Sequence, residues 1–162
     1  MAEYRRYKRI VVPLDGSGWS RRAVPHAVDL ARSNGAELIL LHVYHPPAHE
    51  YVDQIALAGQ ETQLDEMLEQ MKQDLIGLRT ELREEGINVR TQMIEGRGTS
   101  NIICEYVNNE NVDLVIMATH GRKGLRKLIF GSTADEIVNG VHVPVLLVNP
   151  DKEEHETSDT DG

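Results

Sequence analysis

The chain has one cysteine in 162 residues. No internal disulfide framework can form, nor a metal site built only of thiolates. Long apolar runs are also missing. The longest are about five or six residues, against the about 20 that span a bilayer. The charged start, residues 1–8, is not followed by the apolar stretch of about 7–15 residues that a secretion signal carries. A cytoplasmic protein without membrane insertion is expected. Positive charge is scarce as well, with 17 Lys+Arg against 26 Asp+Glu and a net charge of −9. Nucleic acids and anionic membranes select basic surfaces, so neither is expected as a partner.

What is present is an ordinary globular composition, 40% hydrophobic and 27% charged, at a length that suits one domain. Short apolar runs alternate with helical patterns. The run 9–14 stops at the turn cluster Asp15-Gly16-Ser17-Gly18. A helix is predicted from about Trp19 to Ser33, with Asn34-Gly35 as its stop. A second buried strand follows over 37–43. Residues 44–60 show no clear period and read as a long connection. Leu64, Met67, Leu68, Met71, Leu75, Leu78 and Leu82 then mark an amphipathic helix ending at Gly86. Strands are expected over 89–94, 113–118 and 143–148. Between them lie a helix capped by Thr99 or Ser100 and a helix carrying Ala134, Ile137 and Val138.

This alternation implies a five-stranded parallel sheet with helices on both faces, a three-layer α/β/α domain. Pro144 cannot donate to a ladder, so the last strand should start there or lie at an edge. An apolar edge is a liability unless covered, and pairing Val143 to Val148 with a second copy would cover it. A domain over residues 1–149 and an acidic tail over 150–162 are expected. The tail carries six acids against one Lys, a net of −5, and almost nothing apolar, which predicts disorder.

The segment Ala118-Thr119-His120-Gly121-Arg122-Lys123-Gly124-Leu125-Arg126-Lys127-Leu128-Ile129-Phe130-Gly131-Ser132-Thr133 carries the chemistry. It follows a strand at the carboxyl edge of the sheet, where open α/β folds hold ligands. It ends in glycine and hydroxyls opening a helix, which suits a phosphate. Arg122, Lys123, Arg126 and Lys127 reverse the local charge of an acidic protein. A glycine turn beside a solvated basic face is the bland alternative.

These residues resemble the universal stress protein family. Its ATP-binding members carry G-x2-G-x9-G-[S/T] after the fourth strand. Gly121, nine residues and Gly131-Ser132 match, while Ala118 stands at the first glycine. The opening Ile-Val-Val-Pro-Leu-Asp-Gly-Ser and the closing Val-Pro-Val-Leu-Leu-Val extend the resemblance over residues 7 to 149. It implies an adenine nucleotide alpha hydrolase-like fold and a dimeric stress-response module binding ATP or AMP, with which Mg2+ can travel. Cyclic AMP shares the same adenine and phosphate. By position, Pro13, Leu14 and Asp15 would line the adenine and ribose end, and Val43 would hold adenine through its backbone. Met117, Ala118, His120, Gly121 and Arg122 would form the floor and loop start. Gly131, Ser132 and Thr133 would bind phosphates. If position 118 needs positive φ, alanine costs about 1 kcal/mol; if only close approach matters, a methyl is tolerated.

No Mg2+-carboxylate pair or general base aimed at a γ-phosphate is readable, so at most slow hydrolysis is expected. Other constellations are weaker. His42, His45 and His49 suggest a metal, but Pro46-Pro47 disfavours the helix that would align the last two. Asp15, Ser17 and His120 lack the nucleophile elbow of a hydrolase. An adenylate-forming enzyme would want S-G-G-x-D-S after the first strand, and a phospho-receiver would want an acidic pair there. Cys104 reads as core, and Trp19 as a staple for the first helix. The alternative function is a dimeric interaction protein on this fold that binds no nucleotide.

Overall fold

The computed structural model describes residues 6–45, 54–119 and 131–149, with side chains of the long third helix from residue 63 onward. The elements are β1 (Arg9–Pro13), α1 (Gly18–Arg21), α2 (Ala23–Asn34), β2 (Glu37–Tyr44) and α3 (Gln54–Glu84). They continue with β3 (Val89–Glu95), α4 (Thr99–Asn109), β4 (Leu114–Ala118), α5 (Ser132–Gly140) and β5 (Val145–Val148). The five strands form one sheet in the order β3-β2-β1-β4-β5, and every pairing is parallel.

Strand side chains alternate between faces, and here both faces are apolar. Ile10, Val12, Leu38, Leu40, Leu114 and Ile116 turn to one side, where Ala27, Ala31, Leu75, Leu78 and Leu82 of α2 and α3 cover them. Val11, Ile39, Leu41, Val115 and Met117 turn to the other, under Ile103, Val107, Ala134 and Ile137 of α4 and α5. These two cores make the three layers. Each fully buried Ile, Leu or Val contributes about 1.5–3 kcal/mol of transfer free energy, so the continuous apolar runs that cannot span a membrane suffice for a core buried on both faces. Among the described residues no helix is long and apolar enough to cross a membrane.

Three expectations are corrected. The helix expected from Trp19 to Ser33 is two helices, broken at Arg22, whose N–H turns back to the carbonyls of Trp19 and Ser20. Pro25 accounts for the break. In one helix running from Gly18 it would remove an interior hydrogen bond and clash with the turn before it. Restarting at Ala23 puts Pro25 in a first turn, where its missing N–H costs nothing. Second, α3 starts at Gln54, so the connection after β2 is shorter than the sequence pattern suggests; its remainder, 46–53, lies outside the described residues. Third, the cap of α4 is Gly98, at φ 80°, with no side-chain hydrogen bond, and Thr99 and Ser100 are already helical. The expected tail also lies outside the described residues.

β5 begins directly after Pro144 and lies at the edge, as Pro144 suggests. Gly35 ends α2 in the left-handed region at φ 64°, and no atom lies within 4 Å of a Cβ placed there. The cost of Gly35→Ala is therefore all backbone, about 1 kcal/mol of lost stability. Gly77, mid-helix in α3, has the same open space without the positive φ, so Gly77→Ala should stabilise by about 0.5–1 kcal/mol. Urea denaturation of the two variants reads the opposite signs.

Candidate functional site

The sheet opens at its carboxyl edge because β1 loses its two neighbours at different heights. Pairing with β4 covers only Ile10–Leu114 and Val11–Val115. Pairing with β2 runs on to Pro13–Leu41. Pro13 has no N–H to offer a ladder. β1 is also where the strand order reverses, since the chain proceeds from β1 to β2 and β3 and then crosses to β4 on β1's other side. A crevice at the carboxyl ends beside such a reversal is where open α/β sheets bind ligands.

Of the sequence-predicted residues, Pro13, Leu14, Asp15, Val43, Met117 and Ala118 lie at or just beyond the ends of β1, β2 and β4, and Gly131, Ser132 and Thr133 at the start of α5. Pro13 ends β1 half-buried, and Leu14 is buried just beyond it. Leu14 donates its N–H to the Leu41 carbonyl at 2.8 Å. Its own carbonyl accepts from His42 Nδ1 at 2.7 Å. Asp15 is exposed, and its Oδ1 accepts from the Ser17 N–H at 2.8 Å and the Ser17 hydroxyl at 2.5 Å. This carboxylate-to-backbone turn holds the loop. Ser17 Oγ in turn accepts from the Ser20 N–H at 3.2 Å and caps α1. Ser17 is thus engaged in shaping the loop. Gly16 sits at φ 90°, a backbone conformation that favours glycine, and a Cβ there would lie 3.3 Å from Met71 Sδ of α3.

Val43 lies near the end of β2 with its side chain in the core, 9% exposed. In the β1–β2 ladder the backbones of residues 37, 39 and 41 face β1, as the Glu37-to-Lys8 and Leu14-to-Leu41 bonds require. The N–H and C=O of Val43 therefore face the same way, at the height where β1 has left the ladder.

Met117 and Ala118 end β4 beside Leu147 and Val148. Ala118 lies within the strand, and Asn111 is the one non-glycine residue with positive φ among those described. Alanine at 118 is thus unstrained, which answers the question its methyl raised. Across the opening, α5 starts at Ser132. Its cap is Gly131, at φ 81°, with no side-chain hydrogen bond. Ser132 and Thr133 are exposed. A helix start of this kind presents backbone N–H groups and partial positive charge outward. His120, Gly121 and Arg122, with Lys123, Arg126 and Lys127, lie outside the described residues.

Two supporting residues escaped the sequence reading. Thr119 is 1% exposed. It gives its N–H to Val148 at 2.9 Å and its hydroxyl to Asn149 Oδ1 at 3.2 Å, tying the end of β4 to the end of β5. A lone polar residue closing an apolar run was the available signal. His42 was weighed only as a metal ligand. Instead its ring holds Leu14, and His45 Nδ1 holds the Gly96 carbonyl at 2.7 Å. Among the described residues no group of three His, Cys, Asp or Glu could hold a metal. His49 lies outside them.

The remaining candidates are structural. Trp19 carries the Arg22 guanidinium 4.0 Å from its ring centroid, at the break between α1 and α2. Cys104 packs between α4 and α5. Burial pushes its thiol above the ordinary value, and Glu136 adds to the shift. Less thiolate is therefore present at neutral pH than for a free cysteine. Alkylation by iodoacetamide at pH 7 should run slower than with free cysteine, with its rate midpoint displaced to higher pH; an equal rate and midpoint would contradict this.

Comparison with known proteins agrees with this geometry. The family model described as the universal stress protein family matches residues 6–149. Universal stress protein MJ0531 of Methanocaldococcus jannaschii is 32% identical over 149 residues, covering 91% of this chain and 85% of its own. The solved structure of MJ0577, from the same organism, superposes with a TM-score of 0.73 at 26% identity, covering 91% of this chain and 99% of that one. A universal stress protein in complex with cAMP has a TM-score of 0.62 at 19% identity over 91% and 100% of the two chains. One from Archaeoglobus fulgidus in complex with dAMP has 0.60 at 19% over 88% and 98%. With the fold, the opening beside β1 and the family match in agreement, the chain belongs to the universal stress protein family.

Proposed function

We propose that this protein binds an adenine nucleotide, ATP or AMP, in the opening between β1, β2 and β4, and acts as a dimeric regulatory module of the stress response. The carrying observation is the early end of the β1–β4 pairing. The ligand would lie between the Asp15 loop and the start of α5. Asp15 would accept hydrogen bonds from a ribose diol, since an ionised carboxylate is an acceptor only. Val43 would read the adenine edge through its outward N–H and C=O. Met117 and Ala118 would floor the pocket, with Pro13 and Leu14 along its side. Gly131, Ser132 and Thr133 would take the phosphates through backbone N–H and hydroxyl groups. His120, Gly121 and Arg122 complete the loop in this reading. Relatives solved with cAMP and dAMP, both adenine nucleotides, support the choice of base. A Mg2+ arriving with a triphosphate would take most of its ligands from phosphate and water. The role is one of binding, with hydrolysis slow at most.

The dimer would form along β5. The β5 segment turns the Pro144 and Val148 carbonyls toward β4, so the amides of Val145 and Leu147 face outward at the edge. Val145, Leu146 and Leu147 are half-buried in the single chain. A second β5 would satisfy those amides and cover the apolar edge.

Calorimetry on nucleotide-stripped protein tests the binding. Saturable heat with ATP or AMP is expected, and no heat at millimolar concentration with either would refute it. Asp15→Asn keeps an oxygen for the Ser17 turn but loses the charge, and should weaken binding about tenfold to a hundredfold. Light scattering tests the dimer. The expected mass is twice that of the 18.2 kDa chain, falling to one chain in Leu147→Pro, which removes an outward amide; a monomeric parent protein would refute the dimer.

A further inference from the structure

His42 is out of place by the pattern of its strand. It shares a sheet face with Leu38 and Leu40, both fully buried and apolar, and a polar ring there is costly unless it is hydrogen-bonded. Its bond goes to the Leu14 carbonyl at 2.7 Å. A carbonyl oxygen only accepts, so Nδ1 carries the proton and donates.

That carbonyl has a natural partner elsewhere. Along the β1–β2 ladder, the carbonyl of residue 8 accepts from the amide of residue 37. The same register advances two residues at a time on both strands. Its next step after the Leu14-to-Leu41 bond would be the Val43 amide donating to Leu14. Among the described residues the donor that Leu14 receives is the His42 ring.

We propose that His42 is a positioning residue that ends the β1–β2 ladder one bond early, taking Leu14's carbonyl so that Val43's N–H and C=O stay facing the crevice. The proposal rests on the adenine-binding reading for its consequence, because those two groups are the edge that would pair with the base. An N–H beside a C=O matches adenine, which offers an acceptor ring nitrogen beside an amino donor. Hypoxanthine offers a carbonyl and a protonated ring nitrogen there, and does not match. His42 touches neither base nor phosphate in this account. It sets the base preference by occupying a competitor of the ligand.

Removing the ring donor returns the carbonyl to the Val43 amide. In His42→Leu the ladder should close by one bond, and the adenine edge should be lost. ATP affinity should fall about tenfold, the worth of one good hydrogen bond to a buried edge. ITP affinity should change little, so that the preference for ATP over ITP collapses. His42→Asn places a donor nitrogen near the position of Nδ1 and should restore the preference. Hydrogen exchange of the ligand-free protein gives a readout that needs no nucleotide. The Val43 amide should exchange much faster than the Leu41 amide in the parent protein and in His42→Asn, and should slow in His42→Leu.

An equal loss of ATP and ITP affinity in His42→Leu, with Val43 exchange unchanged, would overturn the proposal. So would a Val43 amide as protected as Leu41 in the parent protein, a measurement that stands even if His42→Leu does not fold. Failure of the parent protein to bind any adenine nucleotide would overturn the adenine-binding reading alone, since the exchange comparison still decides what His42 does.

Discussion

β1 is held by β2 through five register pairs and by β4 through two. That inequality is the constraint on which the carboxyl edge depends. β4 stops pairing with β1 at Val115 and runs on to Ala118 beside β5. Pro13 helps to set the limit by removing a donor. His42 sets it on the other side by claiming an acceptor.

The rest of the molecule keeps this edge in place. Two apolar layers clamp the sheet from both faces, and the strands that border the opening lie at its centre, with their middle residues buried. Local side chains then fix each loop as it leaves the sheet. Asp15 and Ser17 close the first turn on itself. Thr119 ties the end of β4 to Asn149. Charge pairs lie at the opposite end, where Glu37 meets Arg9 and Arg90 and Asp113 accepts the amides of Lys8 and Arg9. The amino edge is thus stitched by ion pairs and capping contacts, while at the carboxyl edge β2 runs on past the last β1–β2 register pair.

The layered fold was legible because its strands are apolar on both faces. Uninterrupted runs such as residues 38–41 cannot be half-exposed, and their alternation with helical periods admits little except a parallel sheet. The helix boundaries were less legible. Pro25 lies inside a stretch of good helical spacing, and only its position in the restarted turn reconciles the two. The start of α3 was hidden because Ile55 and Leu57 come before the period of Leu64 to Leu82 is established. At the candidate site, the order of glycines and hydroxyls from 118 to 133 carries the family resemblance, which the family match over residues 6–149 supports. The parts contributed by Val43, His42 and Thr119 could not be read from order. Their significance depends on which carbonyl stands opposite across the sheet, and a register is a property of two strands together.

The proposed nucleotide site is the opening beside β1, bounded by β1, β2 and α5. Amide chemical-shift mapping of the labelled protein during titration with AMP tests it most directly. The largest changes are expected at Asp15, Gly16, Val43, Ser132 and Thr133, with little change at Lys8, Arg9 and Asp113 at the opposite edge. Changes centred on that opposite edge, or on the outer face of α4, would contradict it.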